Sequence, residues 1–424
     1  MSFQENSIFS LFKRKPLDLS YFASLSHSDY RTLWLANLSA GAAAWALIVA
    51  RGWVVYEISD SSLWVGIVTF AAMIPRVIVT PISGYLSDRF DRRSVLAVMF
   101  GINLVHNILL GILILTDYAE LWHLIVLSVV NGSARASQMP AGQALIVNLI
   151  PRDLLLNGIA LNQATMHGSR LLGPAAIAPL LATAGSSGAF FVCSGFYAIS
   201  LILTFRVKTA STGKLQPGKG FFANVNEGLK SVYKIPALRA IVLIAFFHCG
   251  LTMSFESVLP VLAENRLAAK GAGFSYLMMA VGAGAMVSVV LMAGIRDDST
   301  KGRLFLYFGV LSGLSPFVLA FSSTMPLALF GAATMGATQA GFMTLTHTFI
   351  QSVTPDAIRG RVGGIYSMHI GGMMAFANLM NGWLADYVNP QILLAVASAG
   401  FVFIILLTWW QNALRKIYTE GLKI

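Results

Sequence analysis

Between two long apolar runs, one beginning near Leu63 and the next near Val95, the chain carries Gly84-Tyr85-Leu86-Ser87-Asp88-Arg89-Phe90-Asp91-Arg92-Arg93. A turn this short and this charged joins two antiparallel helices on one side of a bilayer, and its three arginines mark that side as cytoplasmic. Asp88 is the exception. At the C-terminal end of a helix the dipole disfavours an anion by several tenths of a kcal/mol, so Asp88 needs a compensating partner. The N-terminus of another helix, or an arginine, is the expected one. A partner that comes and goes makes the turn a conformational latch.

Composition agrees with a membrane chain. Of 424 residues, 56% are hydrophobic and only 11% charged, with a mean hydropathy of +0.71, which excludes an ordinary soluble protein. At roughly 20 apolar residues per helix, the chain accommodates about twelve spans. A net charge of +11 suggests nucleic acid in a soluble protein, but its distribution decides otherwise. Arg266 and Lys270 fall opposite the Asp88 turn, and Arg51, Arg76, Arg135 and Arg170 fall inside spans. The other twenty-three of the 29 Lys and Arg residues lie on the side of the turn. Both termini are therefore expected in the cytoplasm. Cys193 and Cys249 each sit within an apolar run, which argues against a structural disulfide. No removable signal peptide is read in the first twenty residues.

Taken in order, 1–30 reads as a cytoplasmic N-terminal segment and 31–205 as six spans. The stretch 206–237 reads as a polar, basic linker in which Phe221 to Lys234 has the spacing of an interfacial helix. Six more spans follow over 238–413, then a cytoplasmic tail over 414–424. Span 7 is expected as one helix from Leu238 to Leu262, and span 12 from Ile392 to Ala413. A shift of about 208 residues superposes the Asp88 turn on Arg296-Asp297-Asp298 and Arg31 on Arg239, the trace of a duplicated six-helix unit.

Gly84, Asp88, Arg89, Arg92 and Arg93 resemble the loop-2/3 signature of the major facilitator superfamily. Asp91, where the general pattern has glycine, resembles the branch that holds the enterobactin exporter and many multidrug exporters. Gly52-Trp53-Val54-Val55-Tyr56, Pro75-Arg76, Pro140-Ala141-Gly142-Gln143-Ala144 and Gly173-Pro174 support that branch in the expected order. The resemblance implies an all-α integral membrane protein with twelve transmembrane helices in two pseudo-symmetric six-helix bundles. It also implies multi-pass residence in the bacterial inner membrane and alternating access around a central cavity. Pro355-Asp356-Ala357-Ile358-Arg359-Gly360-Arg361 presents a helix N-terminus toward the Asp88 turn, so Arg359 and Arg361 join the expected latch. Gly168, Gly173 and Pro174 resemble the helix-5 motif of superfamily antiporters, although Ala175 to Ala178 replace the rest of its glycine pattern.

A charge at mid-membrane costs about 2.5–3.5 kcal/mol on insertion scales, so such groups face a cavity or a partner. Arg76, Arg135 and Arg170 lie near mid-depth. Arg51 in span 1 and Glu256 in span 7 occupy equivalent repeats and are expected to meet across the cavity. Glu256 is either the proton-coupling carboxylate or half of a static salt bridge. Arg170, with Gln163 and His167 on preceding turns, is the better candidate to line the substrate site; Arg135 is a further candidate, and the alternative for Arg135 and Arg76 is to brace helix packing near the cytoplasmic half. Four cations against one carboxylate suit a substrate with an anionic or strongly hydrogen-bond-accepting part.

No metal site is expected, since no two histidines have a ligand pair's spacing. No cofactor is expected either: Gly213-Lys214 and Gly218-Lys219-Gly220 lack the phosphate-loop pattern, and no enzyme motif is present. One proton crossing 100 mV yields about 2.3 kcal/mol, enough to drive transport. The expected partners are a small-molecule substrate, protons and the lipid bilayer, with no nucleic acid and a monomeric chain. These readings combine into proton-coupled antiport that exports an amphipathic compound, drug-like or siderophore. An uptake symporter or a lipid transporter on the same fold is the alternative.

Overall fold

Apolar runs without water to take their backbone hydrogen bonds must close those bonds within the segment, and the chain does so as helices almost throughout. The structure, a computed structural model, describes residues 19–80, 90–151, 154–183, 185–209, 221–292, 295, 297–355 and 358–421.

A 3-10 stretch, Leu19–Ser26, precedes α1 (Ser28–Ser59). Then come α2 (Ser62–Met73), α3 (Arg92–Leu115), α4 (Leu121–Leu149), α5 (Leu155–Thr183) and α6 (Ser186–Arg206). The span of α2 runs on to Thr80 past a turn at Ile74, where Pro75 supplies no backbone donor. After α7 (Phe221–Lys234) come α8 (Pro236–Leu251) and α9 (Leu259–Leu267), two pieces of one span. The last set is α10 (Gly271–Met292), α11 (Asp298–Ala320), α12 (Met325–Val353), α13 (Arg359–Ala385), α14 (Pro390–Leu407) and α15 (Asn412–Glu420).

Seven of the described helices are long and apolar enough to cross a membrane. The other spans, α4, α5, α8 with α9, α12 and α13, are diluted by Gly, Ser, Thr, Asn, Gln and Arg. Most of these polar positions face a neighbouring helix or the space between bundles. In the first bundle α1 packs on α5 and α6, and α4 on α2 and α3; in the second α12 packs on α10 and α11, and α13 on α8. Two pairs make the most extensive contacts between the bundles, α2 with α13 and α5 with α10, and α1 also touches α10 and α9.

The buried apolar clusters show how the bundles sit. At the end carrying Asp60, Trp53, Val54 and Val65 of the first bundle share one core with Phe255, Leu259, Phe274 and Met335 of the second. At the end carrying Arg93 the cores are separate among the described residues. Tyr30, Leu33, Phe100 and Leu145 form one, and Phe305, Phe349, Val362 and Tyr418 another. The bundles are closed together at the Asp60 end.

Span 7 departs from the continuous helix expected over Leu238 to Leu262. It is interrupted from Thr252 to Val258 and resumes at Leu259. Pro260 marks the resumption: in the first turn of α9, where proline is tolerated, it offers no N–H to the carbonyl of Glu256 four residues back. Span 12 also ends early. After Leu407 a 3-10 turn, Thr408–Trp410, leads to the separate α15, capped by the Gln411 side chain on Leu414 N.

Helix α7 is amphipathic, as its spacing predicts, and packs against α13 and α8. Tyr233 and His369 of α13 are hydrogen-bonded at 3.1 Å between the hydroxyl and Nε2. His369 Nδ1 lies 2.8 Å from the Ile365 carbonyl, so Nδ1 is the donor there and Tyr233 donates to Nε2 in the neutral ring.

Candidate functional site

Glu256 sits in the break of span 7 and is 6% exposed. Four guanidiniums act on its carboxylate, Arg170 most strongly, then Arg135, Arg76 and Arg51. None approaches it within 4.0 Å, and Glu256 forms no ion pair among the described residues. The expected direct Arg51–Glu256 pair is thus a longer-range interaction. The buried carboxylate thus feels four cations and is directly paired with none of them.

Three of the arginines are anchored elsewhere. Arg51 of α1 donates to Asn131 Oδ1 of α4 at 3.5 Å, Asn131 donates to Asn103 Oδ1 of α3 at 2.7 Å, and Asn107 donates to the Asn103 carbonyl at 2.7 Å. This buried row ties three helices to one cation. Arg170 of α5 lies over the Trp45 ring with Cζ 4.7 Å from its centre, and Arg135 of α4 lies at 5.9 Å. A tryptophan face offers cations about 0.5–2 kcal/mol, so Trp45 holds both without neutralising them. Among the described residues Arg170 Nε is buried without a hydrogen-bond acceptor. Arg76 is half-buried on the continuation of α2, facing Gly371 of α13.

The break exposes backbone groups that a helix would have satisfied, and side chains from the second bundle take them. Gln339 of α12 donates to the Thr252 carbonyl at 2.7 Å. Asn381 of α13 donates to the Ser254 carbonyl, and Asn378 Oδ1 accepts from Ser257 N at 3.3 Å. Ser254 Oγ closes on the Cys249 carbonyl at 2.7 Å. Irregular backbone at membrane depth is tolerated only when protein satisfies it in this way. These residues were not singled out from sequence; their signal is a polar amide in an otherwise apolar span.

Pro174 lies inside α5, four residues after Arg170, and so frees the Arg170 carbonyl. A Cβ added at Gly282 of α10 would lie 2.9 Å from that carbonyl oxygen. The two bundles therefore touch backbone to backbone at the depth of the cations. Gly173 is needed for close approach to α1, since a Cβ there would strike the Ala42 carbonyl; at Gly168 it would meet nothing within 4 Å.

The other expected residues are placed as follows. Gly84, Asp88 and Arg89 lie outside the described residues. Arg92 opens α3, and Arg93 donates to the Val207 carbonyl at 2.8 Å with Nε 3.5 Å from Asp91. Arg359 and Arg361 are on the first turn of α13, and Gln163 and His167 are on α5; their side chains are outside the described set. Among the described residues no three His, Cys, Asp or Glu side chains group as metal ligands. His248 instead bonds Ser312 at 3.1 Å and stacks on Phe342.

Residues 19–422 match the family model described as transmembrane secretion effector. The chain is 25% identical to the multidrug efflux pump Tap of Mycolicibacterium fortuitum over 389 residues, covering 88% of this chain and 90% of that one. It is 25% identical to the enterobactin exporter EntS of Escherichia coli O1:K1 / APEC over 394 residues, 90% of each. Among solved structures, the nucleoside transporter NupG aligns with a TM-score of 0.73 at 11% identity, over 90% of this chain and 99% of that one. A mutant peptide transporter POT in complex with sulfate aligns at 0.74 and 12% identity, over 92% and 96%.

Proposed function

We propose, on the premise that the chain belongs to the transmembrane secretion effector family of the major facilitator superfamily, a family of transporters and not of enzymes, that it exports an amphipathic organic compound in exchange for protons. The single observation that supports this most is Glu256, buried in the broken span, under four guanidiniums and in contact with none. Protonation of such a group changes the net charge of the cavity by one, and admitting water to the cavity from one side or the other changes the desolvation of the carboxylate and so its proton affinity.

The sign of coupling follows from substrate charge. An anionic substrate competes with the Glu256 carboxylate for the same cations, so its binding favours the protonated form and it travels with a proton. A substrate that binds only once Glu256 has released its proton exchanges for that proton. With the proton gradient directed inward, export requires exchange, so the reading is an amphipathic compound, drug-like or siderophore, whose binding excludes the proton from Glu256. The efflux pump and exporter among the relatives support the outward direction.

The positive-inside rule assigns the Arg93 end to the cytoplasm, with both termini there, in the inner membrane of a bacterium. The core shared at the Asp60 end then corresponds to a cavity shut toward the outside, as alternating access requires of one of its two states. Asp88 is the cytoplasmic latch in this reading, docking on the N-terminus of α13 when that side closes. A single chain carries the whole cavity and works as a monomer.

The test is reconstitution in liposomes with a pH dye inside, an imposed proton gradient and a panel of drug-like and siderophore compounds. Proton flux opposite to substrate flux, reduced tenfold or more in Glu256→Gln, is the expected result. Co-directional flux identifies an uptake symporter. Substrate movement without protons, unaffected by the substitution, identifies a facilitator or lipid transporter and ends the coupling role of Glu256.

A further inference from the structure

The Asp60 end is closed by more than apolar contact. Asp386 directly follows α13 in the second bundle, yet its carboxylate accepts from Ser62 N at 2.7 Å, from Leu63 N at 3.2 Å and from Ser61 Oγ, all at the start of α2 in the first bundle. The first amides of a helix have no partner within it, and the helix dipole favours an anion there. Ser61, the residue in the capping position of α2, makes no side-chain cap bond of its own. The cap of α2 is supplied from the other bundle.

Two glycines make that reach possible. Gly382, one turn before Asp386, faces the Ser62 carbonyl so closely that a Cβ there would collide with it, and a Cβ on Gly66 would come within 2.9 Å of the Asn378 carbonyl oxygen. The sequence carries a second mark of the same device. Gly382-Trp383-Leu384-Ala385-Asp386 repeats the order glycine, aromatic, leucine, small residue, aspartate of Gly84-Tyr85-Leu86-Ser87-Asp88. The second of these motifs closes span 11, which packs on span 2 across the bundle interface; the first follows span 2 in the sequence.

We propose that Asp386 is a positioning residue of the transport cycle: it holds the Asp60 end shut by capping α2 across the bundle interface, and that end opens only when the cap is released. This rests on the alternating-access reading above, so the test reads conformation and not transport. Cysteines replacing Tyr118 and Phe321, exposed residues on turns of the first and second bundle at that end, are spin-labelled in the full-length protein. Their separation is then measured by pulsed electron resonance in nanodiscs. The buried native cysteines Cys193 and Cys249 stay unlabelled.

Loss of a helix cap is a change of about threefold to thirtyfold in an equilibrium. Asp386→Ala should therefore raise the ratio of long to short separations by about tenfold. Asp386→Asn, which keeps one acceptor but no charge, should raise it less, and Asp386→Glu should restore most of the short population. Melting temperatures should stay within a few degrees of the parent. An unchanged distance distribution in Asp386→Ala overturns the proposal, as does an equal loss of melting temperature in all three variants with no rescue by glutamate. If the separations shift as expected while no substrate moves in liposomes, the latch stands and the transporter reading falls.

Discussion

The amides that hold the broken span show how single residues set the shape of the cavity. Gln339 donates to a carbonyl, that of Thr252, which the break leaves without a helical partner. Removing the donor strands a buried acceptor, a loss of about 1–3 kcal/mol. Gln339→Leu and Asn381→Leu should each lower the melting temperature in detergent, and Gln339→Leu should also raise amide exchange between Thr252 and Val258. An unchanged exchange rate there would show that the break stands without these amides. The charge at Glu256 was legible in sequence as a carboxylate inside an apolar run. The break around it was not, because Leu238 to Leu262 is apolar enough for an unbroken helix and only Pro260 hints otherwise. Trp45 under Arg170 and Arg135 was likewise one aromatic among several, since no spacing rule links a residue of α1 to cations of α4 and α5.

Among the elements, α11 has the clearest cap. Asp297 accepts from Thr300 N at 2.7 Å, Thr300 Oγ1 at 2.6 Å and Ser299 Oγ at 2.7 Å, and these bonds from Thr300 and then Ser299 hold its carboxyl down from the ordinary 3.8 to about 2. A carboxyl depressed by folding stabilises fully above its unfolded value and loses that contribution as the pH falls through its folded one. Protection of the first-turn amides of α11 should therefore be flat from neutral pH to about 4 and drop toward 2. Asp297→Ala should lack protection throughout, as read by hydrogen exchange. A drop already complete at pH 4 would contradict the assignment. The cap and the amphipathic α7 were readable from residue type and spacing. The end of α14 was not: Trp409 and Trp410 extend the apolar pattern beyond Leu407, while Thr408 turns its hydroxyl back to the Ile405 carbonyl and to Tyr418 of α15.

At the level of the molecule, the repeat offset of about 208 residues already contained the two bundles, but not which end they share. The contacts that decide it involve glycine against backbone at Gly66 and Gly382, and glycine's closeness to a partner leaves no pattern in one sequence. For the opposite end the expectation rests on Asp88. Labels replacing the exposed Phe205 and Trp410 should report a larger open fraction in Asp88→Asn, by several fold, and an unaltered distribution would remove Asp88 from the gating scheme. Between the two ends, Gly282 meets the proline-freed carbonyl of Arg170 about 20 Å from the end of α5 at 1.5 Å per residue. In the alternating-access reading, two rigid bodies that touch there act as a seesaw on a fulcrum, in which displacement grows with distance from the pivot. The cations travel least and the mouths most, so a fluorophore near Arg170 should stay almost silent through a cycle that swings the rims by many ångströms.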